Sequence, residues 1–418
     1  MSFYVISILV SCGLIGIVSG AIGTYAVLQK KSLLADSISH SLLPGIMLGF
    51  LITKEKDPVL ISLGATISGL ISAYLTDWLV AKTKLNQDAA IGINLSLFFG
   101  LGVVLLTYIQ SGNYGGQSGL TQLLLGNAAS MQQSDIFFFS ALGLFLALSL
   151  LFLGKELNLI CFNKDFAKSI GLPVARLEFL LRLLLVLTIV AGIQAVGVVL
   201  MASCLIAPVI AAKYWSISLR RIQIISTIIG CLSGVLGALF SYYFNHVPTG
   251  PLIVLILTFV AFFSMFFGIE KGLLRRFFKE RSNRFKIQAD HILKELFYLN
   301  EQGNETGTYH IRELKVFSES GKSRSNRILK RLARKGFLIT SGTDITITEK
   351  GKSEANKIVR LHRLWELYLL KRLEIPADHV HDNAEQIEHI LSPELEAALL
   401  KELDYPVRDP HNSPIPNE

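Results

Sequence analysis

Between Leu85 and Gly154 the chain has neither a lysine nor an arginine. Over all 418 residues only 17% are charged, whereas 51% are hydrophobic. These figures average two unlike parts, apolar runs up to about Gly268 and a tail rich in Lys, Arg, Glu and His. Repeated apolar runs of this kind indicate a polytopic membrane protein. The chain has only four cysteines, Cys12, Cys161, Cys204 and Cys231. All lie in the apolar part without paired spacing, which excludes a disulfide framework or a zinc knuckle. No Gly-x-x-x-x-Gly-Lys-Ser/Thr phosphate cradle occurs. Residues 1–28 lack the basic start of a cleaved signal peptide and are long enough to be a first span. The net charge of +8 suits both basic cytosolic loops and a nucleic-acid-binding tail.

Hydropathy predicts spans at roughly 3–28, 38–52, 58–81, 89–109, 136–154, 177–194, 196–213, 222–245 and 250–270. The second is short and interrupted by Pro44-Gly45, so it reads as a broken or partly re-entrant element; eight spans result if one short element does not cross. Gln194 and Gly197 fall where an outer turn is needed. Basic residues set the orientation. Lys30, Lys31, Lys82 and Lys84 flank alternate ends of the early spans; Lys155, Lys164, Lys168 and Arg176 share one loop, and Lys213, Arg220 and Arg221 another. An external N-terminus places all these clusters in the cytosol, leaving outside only the charge-balanced Lys54-Glu55-Lys56-Asp57. The C-terminal part is then cytosolic.

Within the first apolar region, Asp36 and His40 are four residues apart and share one helical face, with serines at 37, 39 and 41 between and beside them. Ionisable groups at membrane depth are costly and usually mark a pathway for an ion or substrate. An imidazole and a carboxylate one turn apart also suit a divalent transition metal. The alternative is that Asp36 caps a helix and His40 is a satisfied polar residue near the cytosolic surface. Farther along, Asn163 to Val174 reads as a short amphipathic helix ended by Gly171-Leu172-Pro173. It either docks a partner through Phe166 and Ile170 or is an ordinary interfacial helix.

Asp36-Ser-Ile-Ser-His40-Ser-Leu-Leu-Pro-Gly, the Gly171-Leu172-Pro173-Val174 loop, Gln194-Ala-Val-Gly-Val-Val-Leu, Leu205-Ile-Ala-Pro208 and Pro248-Thr-Gly-Pro251 resemble the permease family of ABC importers for zinc, manganese and iron. The similarity covers about residues 5–270 and keeps the motif order. It implies a channel of two permease chains in the bacterial inner membrane, an extracytoplasmic metal-binding protein and a separate cytosolic ATPase. It further implies that Asp36 and His40 ligate metal in the pathway, and that Phe166, Ile170, Gly171, Leu172 and Pro173 belong to the coupling helix. The chain itself would not be an enzyme.

Beyond the last span, Lys271, Arg275, Arg276, Lys279, Arg281 and Arg284 make a basic juxtamembrane segment suited to anionic lipid. Helical periodicity follows over Asp290–Leu299, 310–317 and Lys322–Lys335, then two short strands, Phe337–Ile339 and Ile345–Thr348, around Gly342. That order is a winged helix-turn-helix. Ser323, Arg324, Ser325, Asn326, Arg327 and Lys330 would face bases and phosphates of operator DNA. A basic helix is also compatible with a solvated or membrane-facing surface. His362, Glu366, His381, Glu385, Glu388 and His389 then place nitrogen and oxygen ligands on two helices, as Mn(II) or Fe(II) accept. Each pair on its own reads equally as a surface salt bridge.

With Ala377-Asp-His-Val-His-Asp382, Leu391-Ser-Pro-Glu394 and Asp409-Pro-His-Asn-Ser-Pro-Ile-Pro416, these residues resemble the metal-dependent repressors of the diphtheria toxin repressor and manganese transport regulator type over about 285–418. The resemblance implies two metal sites. His362, Glu366 and His381 match one site of the iron-sensing branch; Asp290, Glu385, Glu388 and His389 match the other. Glu385 stands where that branch often has cysteine, and Asp290 replaces methionine, both leaning towards manganese. Leu293 stands where the manganese branch has a further carboxylate, and no SH3-like third domain follows.

The expected architecture is mainly α. A polytopic helical membrane domain of 8–9 spans (1–270) leads through a basic juxtamembrane linker (271–288) to a cytosolic winged helix-turn-helix (289–350) and a helical metal-binding and dimerisation domain (351–418). The expected function is a Mn, Fe or Zn permease fused to its own metal-responsive repressor. In the rival reading the tail is a metal-sensing brake on transport that never binds DNA.

Overall fold

The computed structural model describes residues 3–29, 31–55, 57–112, 126, 133–244, 247–301, 308–314, 322–373, 393–411 and 413–416. The chain forms two compact units, Met1–Arg276 and Phe277–Glu418.

The first unit is all helical. Its elements are α1 (Phe3–Leu28), α2 (Ser32–Ser41), α3 (Leu43–Thr53), α4 (Pro58–Lys82), α5 (Gln87–Ser111), α6 (Gln133–Phe162), the short α7 (Lys164–Ser169), α8 (Val174–Val196), α9 (Val198–Trp215), α10 (Leu219–Tyr243) and α11 (Thr249–Phe267). Among the described residues eight helical stretches are long and apolar enough to cross a membrane, with α2 and α3 counted together as Ser32–Thr53. The expected interruption falls at Leu42, whose backbone stays right-handed helical. Pro44 follows at the start of α3; lacking an N–H, it cannot donate to the carbonyl four residues back, so the ladder breaks without the chain turning away. The turn expected near Gln194 and Gly197 falls at Gly197, whose φ of +93° lets this single residue separate α8 from α9.

α1 is the central post. It lies so close to α10 that a Cβ on Gly16 would sit 2.2 Å from the Gly230 carbonyl oxygen. Small residues of this kind let helix backbones approach where apolar lipid supplies no driving force for association. Thr24 and Ser226 join hydroxyls across the same seam at 3.0 Å. Leu63, Ile67 and Ile71 on α4 and Phe137, Leu151 and Phe152 on α6 point outwards, as a lipid-facing surface requires.

The second unit begins within α12 (Leu273–Glu301), so the basic stretch after the last span is helical from Leu273 onwards. No proline or glycine interrupts residues 273–301. Then come β1 (Thr308–His310), a 3-10 turn (Ile311–Glu313), α13 (Lys322–Arg334), β2 (Leu338–Ser341), β3 (Asp344–Ile347), α14 (Glu349–Leu373) and α15 (Pro393–Glu402). The strands form one antiparallel sheet in the order β1-β3-β2. β1 has no counterpart in the sequence reading, because three residues are too few for a period-2 signal. Of the helix expected over 310–317, His310 belongs to β1 and only Ile311–Glu313 is helical, as a 3-10 turn; residues 315–317 lie outside the described residues. Ile292, Leu293 and Leu296 of α12 pack with Ile328, Leu329 and Leu332 of α13 and with Leu338 and Ile345 of the sheet. A second, smaller core joins Leu364 and Leu367 of α14 to Leu403 and Ile415.

Candidate metal centres and the surfaces around them

In the membrane unit, α2 holds Asp36 and His40 on one face, with His40 Nε2 3.7 Å from Asp36 Oδ1. The side chains keep 17% (His40) and 41% (Asp36) of their surface accessible. The His40 ring stands edge-on to Phe99 of α5 at 5.1 Å, and its buried Nδ1 has no hydrogen-bond partner among the described residues. The interleaved serines serve the opposite purpose and anchor the back of the helix. Ser41 Oγ donates to the Ser37 carbonyl at 2.6 Å and accepts from Ser72 of α4 at 2.8 Å. Ser68 donates to the Ser41 carbonyl at 2.6 Å. Asn94 of α5, fully buried, donates to Ser72 Oγ at 2.7 Å and to Thr76 Oγ1 at 2.8 Å. This α2–α4–α5 seam leaves Asp36 and His40 outside its hydrogen bonding. Sequence reasoning missed Asn94, which a polar residue at the centre of an apolar helix could have signalled.

The helix α7 is capped by Asn163, whose side chain accepts from the N–H groups of Asp165 at 3.1 Å and Phe166 at 3.0 Å. It ends at Ile170, and Gly171 follows with φ +84°, a left-handed cap that favours glycine. Leu172 turns back to donate to the Ala167 carbonyl, and Pro173 opens α8. Lys164 is ion-paired with Glu178 of α8, which ties the short helix to the helix that follows. Phe166 and Ile170, one turn apart, are both exposed.

In the second unit, α13 turns Ile328, Leu329 and Leu332 inwards and leaves Asn326, Arg327 and Lys330 exposed. Ser325 corrects the sequence reading. It is fully buried, because it lies three and four residues before Ile328 and Leu329 and shares their face. The side chains of Ser323 and Arg324 lie outside the described residues. Arg331 is placed over the Phe285 ring at 5.3 Å.

On α14, His362 Nε2 lies 3.0 Å from Glu366 Oε1, and both side chains are almost completely buried. Two ligand atoms about 2.1 Å from one octahedral ion, at right angles, lie about 3 Å apart, so the pair fits adjacent positions on one hard divalent ion. The other expected ligands, His381, Glu385, Glu388 and His389, lie outside the described residues. Among the described residues no group of three or more such ligands converges. Asp290 is half-buried on α12 and lines a hollow with Leu293, Ile328, Leu332 and Phe337. Leu293 itself is a core residue of the winged helix.

Two cations were not read from the sequence. Lys294, 5% exposed, places Nζ 3.1 Å from His362 Nδ1. Arg363, 3% exposed, pairs with Glu301 at 2.8 Å and with Asp409 at 3.3 Å, donates to the Pro414 carbonyl and lies over Phe297 and Tyr298. Asp409 in turn accepts from the N–H groups of His411 at 2.9 Å and Ser413 at 2.8 Å. Arg363 thus joins α14 to Glu301 of α12 and to Asp409 and Pro414 near the C-terminus. Both cations sit in runs that look solvated, and only partners far along the chain reveal their burial.

The family model for the ABC 3 transport family matches residues 1–268. The chain belongs to this family. Within this permease, residues 348–417 also match the model for the iron dependent repressor metal binding and dimerisation domain. It is 36% identical over 369 residues to the manganese transport system membrane protein MntC of Bacillus subtilis, covering 87% of this chain and 83% of that protein. It is 30% identical to a probable metal transport system membrane protein of Chlamydia trachomatis, across 94% of this chain and 92% of that one. Among solved structures it is similar to PsaBC from Streptococcus pneumoniae in complex with Fab (TM-score 0.59, 31% identity), covering 66% of this chain and 95% of that one. The chain is thus a multi-span metal-transport permease of the ABC type carrying a metal-dependent-repressor-like domain.

Proposed function

We propose that the chain passes Mn(II), Fe(II) or Zn(II) across the bacterial inner membrane and reports cytosolic metal through its own tail. Asp36 and His40 would be pathway ligands, with His40 Nε2 on the Asp36 side, 3.7 Å from its carboxylate. An extracytoplasmic binding protein delivers the metal, two permease chains form the channel, and a separate ATPase docks on the exposed face of Phe166 and Ile170. In the cytosol, His362 and Glu366 with Asp290, His381, Glu385, Glu388 and His389 would hold Mn(II) or Fe(II). A bound ion there supplies a charge that draws these side chains together. Asn326, Arg327 and Lys330, with Ser323 and Arg324, would then contact operator DNA.

The observation that carries this reading is the joining, in one chain, of a metal permease and a repressor's metal-binding domain. The test is a gel-shift with residues 277–418 and the promoter of the transporter's own operon, with and without Mn(II), Fe(II) or Zn(II). A metal-dependent shift that weakens steeply with salt, as phosphate contacts require, is expected. A second reading makes the tail a brake on transport. In it the tail inhibits the ATPase when metal is plentiful and leaves DNA alone. Metal-dependent ATPase inhibition without any gel-shift is the result that selects it.

A further inference from the structure

We propose that a basic hollow on α12 is a binding site for the headgroup phosphate of an anionic phospholipid. The proposal goes beyond the sensor reading and does not depend on whether the tail reads DNA. Phe277, Arg281, Arg284 and Gln288 recur every three or four residues, so they share one face of the helix. With Glu280 and Phe285 beside them and Arg327 of α13 opposite, they line a hollow of about 390 Å³. That lies within the range of about 300–1,000 Å³ usual for small-ligand sites. The lining carries three arginines against the single carboxylate of Glu280, so it favours an anion. Arg281 and Arg284 are exposed, and a guanidinium fork matches phosphate oxygens two at a time. Phe285 packs on the core of this unit and lies under Arg331 at 5.3 Å, which fixes that side of the hollow.

Two further observations select a lipid as the source of that phosphate. Phe277 and Phe278 stand next to the arginines, with 58% and 63% of their surface exposed. Exposed aromatic rings beside a basic face are the pattern of a helix lying at the boundary of headgroups and acyl chains. Contacts to a DNA backbone are instead made by polar and charged groups. The chain also keeps the hollow close to lipid. Only ten residues separate Phe267, the last residue of α11, from Phe277, a reach of at most about 35 Å. A tether this short raises the local concentration of headgroups, so even a weak phosphate site is filled.

The test is native mass spectrometry of the full chain in detergent, titrated with anionic phosphatidylglycerol and, separately, with zwitterionic phosphatidylcholine. Arg281→Gln/Arg284→Gln should weaken phosphatidylglycerol binding about thirtyfold, from about fivefold for each basic residue at an anionic surface, and leave phosphatidylcholine binding unchanged. Lys279→Gln/Lys286→Gln removes the same charge from exposed positions of α12 outside the hollow, and should bind like the wild type. Equal losses in the two double variants overturn the proposal, because a merely basic helix would not distinguish them. Inorganic phosphate is the third ligand. If it binds through Arg281 and Arg284 while the two lipids bind alike, the site is one for free phosphate and the lipid proposal falls. A gel-shift of operator DNA that Arg281→Gln/Arg284→Gln abolishes, with lipid binding unchanged, assigns the hollow to nucleic acid and overturns the proposal as well.

Discussion

The two halves of the molecule each hold a histidine and a carboxylate four residues apart on a helix, yet the two pairs are not alike. On α2 the separation is 3.7 Å and both side chains are accessible. On α14 it is 3.0 Å and both are buried, with a lysine on the far side of the ring. An open, loosely coupled pair suits a pathway, where an ion must be bound well enough to enter and weakly enough to leave. A closed pair already engaged with its neighbours suits a sensor, which has to remain unoccupied until the concentration is sufficient. Spacing alone puts the two side chains on one helical face. What surrounds each pair sets its burial and its partners.

The sharpest way to break the comparison is to remove a charge from each half. Arg363→Ala leaves the almost completely buried Asp409 carboxylate without its cation, and should cost the tail about 3–5 kcal/mol. Denaturant titration of residues 277–418, followed by the fluorescence of Trp365, measures it. Glu366→Ala should also destabilise the tail, by a lesser amount, because the surviving His362–Lys294 contact keeps part of the site satisfied. In the membrane half, Asp36→Ala should leave folding within about 1 kcal/mol, since its carboxylate is 41% exposed. It should instead lower uptake of radiolabelled manganese at least about tenfold, the scale of a lost ligand-shell contact. Normal uptake by Asp36→Ala would remove the pathway from α2.

Smaller effects sharpen the contrast between surfaces. Phe166→Ala, on the exposed face of α7, should weaken ATPase docking by about 1 kcal/mol or more. Co-purification of the ATPase with the permease reads this out. On α13, Arg327→Ala should reduce the slope of log affinity against log salt for operator DNA by about one. Ser325→Ala should leave that slope unchanged, because a buried hydroxyl neutralises no phosphate.

Much of this was legible from residues alone. The Asp36–His40 pair follows from a four-residue spacing, and the α7 cap from Asn163 and Gly171. The α13 helix and the β2–β3 wing were likewise expected, within a few residues at their ends. Ser325 was misplaced because its surroundings are basic and polar, although its three- and four-residue offsets from Ile328 and Leu329 already put it on the apolar face. Asn94 was overlooked within α5, and the strand β1 was too short to show a period. Lys294 and Arg363 read as solvated charges, and nothing local says otherwise.

The amino-acid sequence by itself determined the spans, the orientation expected from the basic loops, the helix caps and the spacing of the candidate ligands. All of these depend on hydrophobic period, backbone capping and charge within a few residues. Only the tertiary structure decided which polar side chains are interior and what they face. Lys294 meets His362 across 68 positions of chain, and Arg363 meets Glu301 across 62. Burial and hydrogen-bond polarity are properties of the neighbours that packing supplies. For that reason one spacing yields an open pair on α2 and a closed, buried pair on α14.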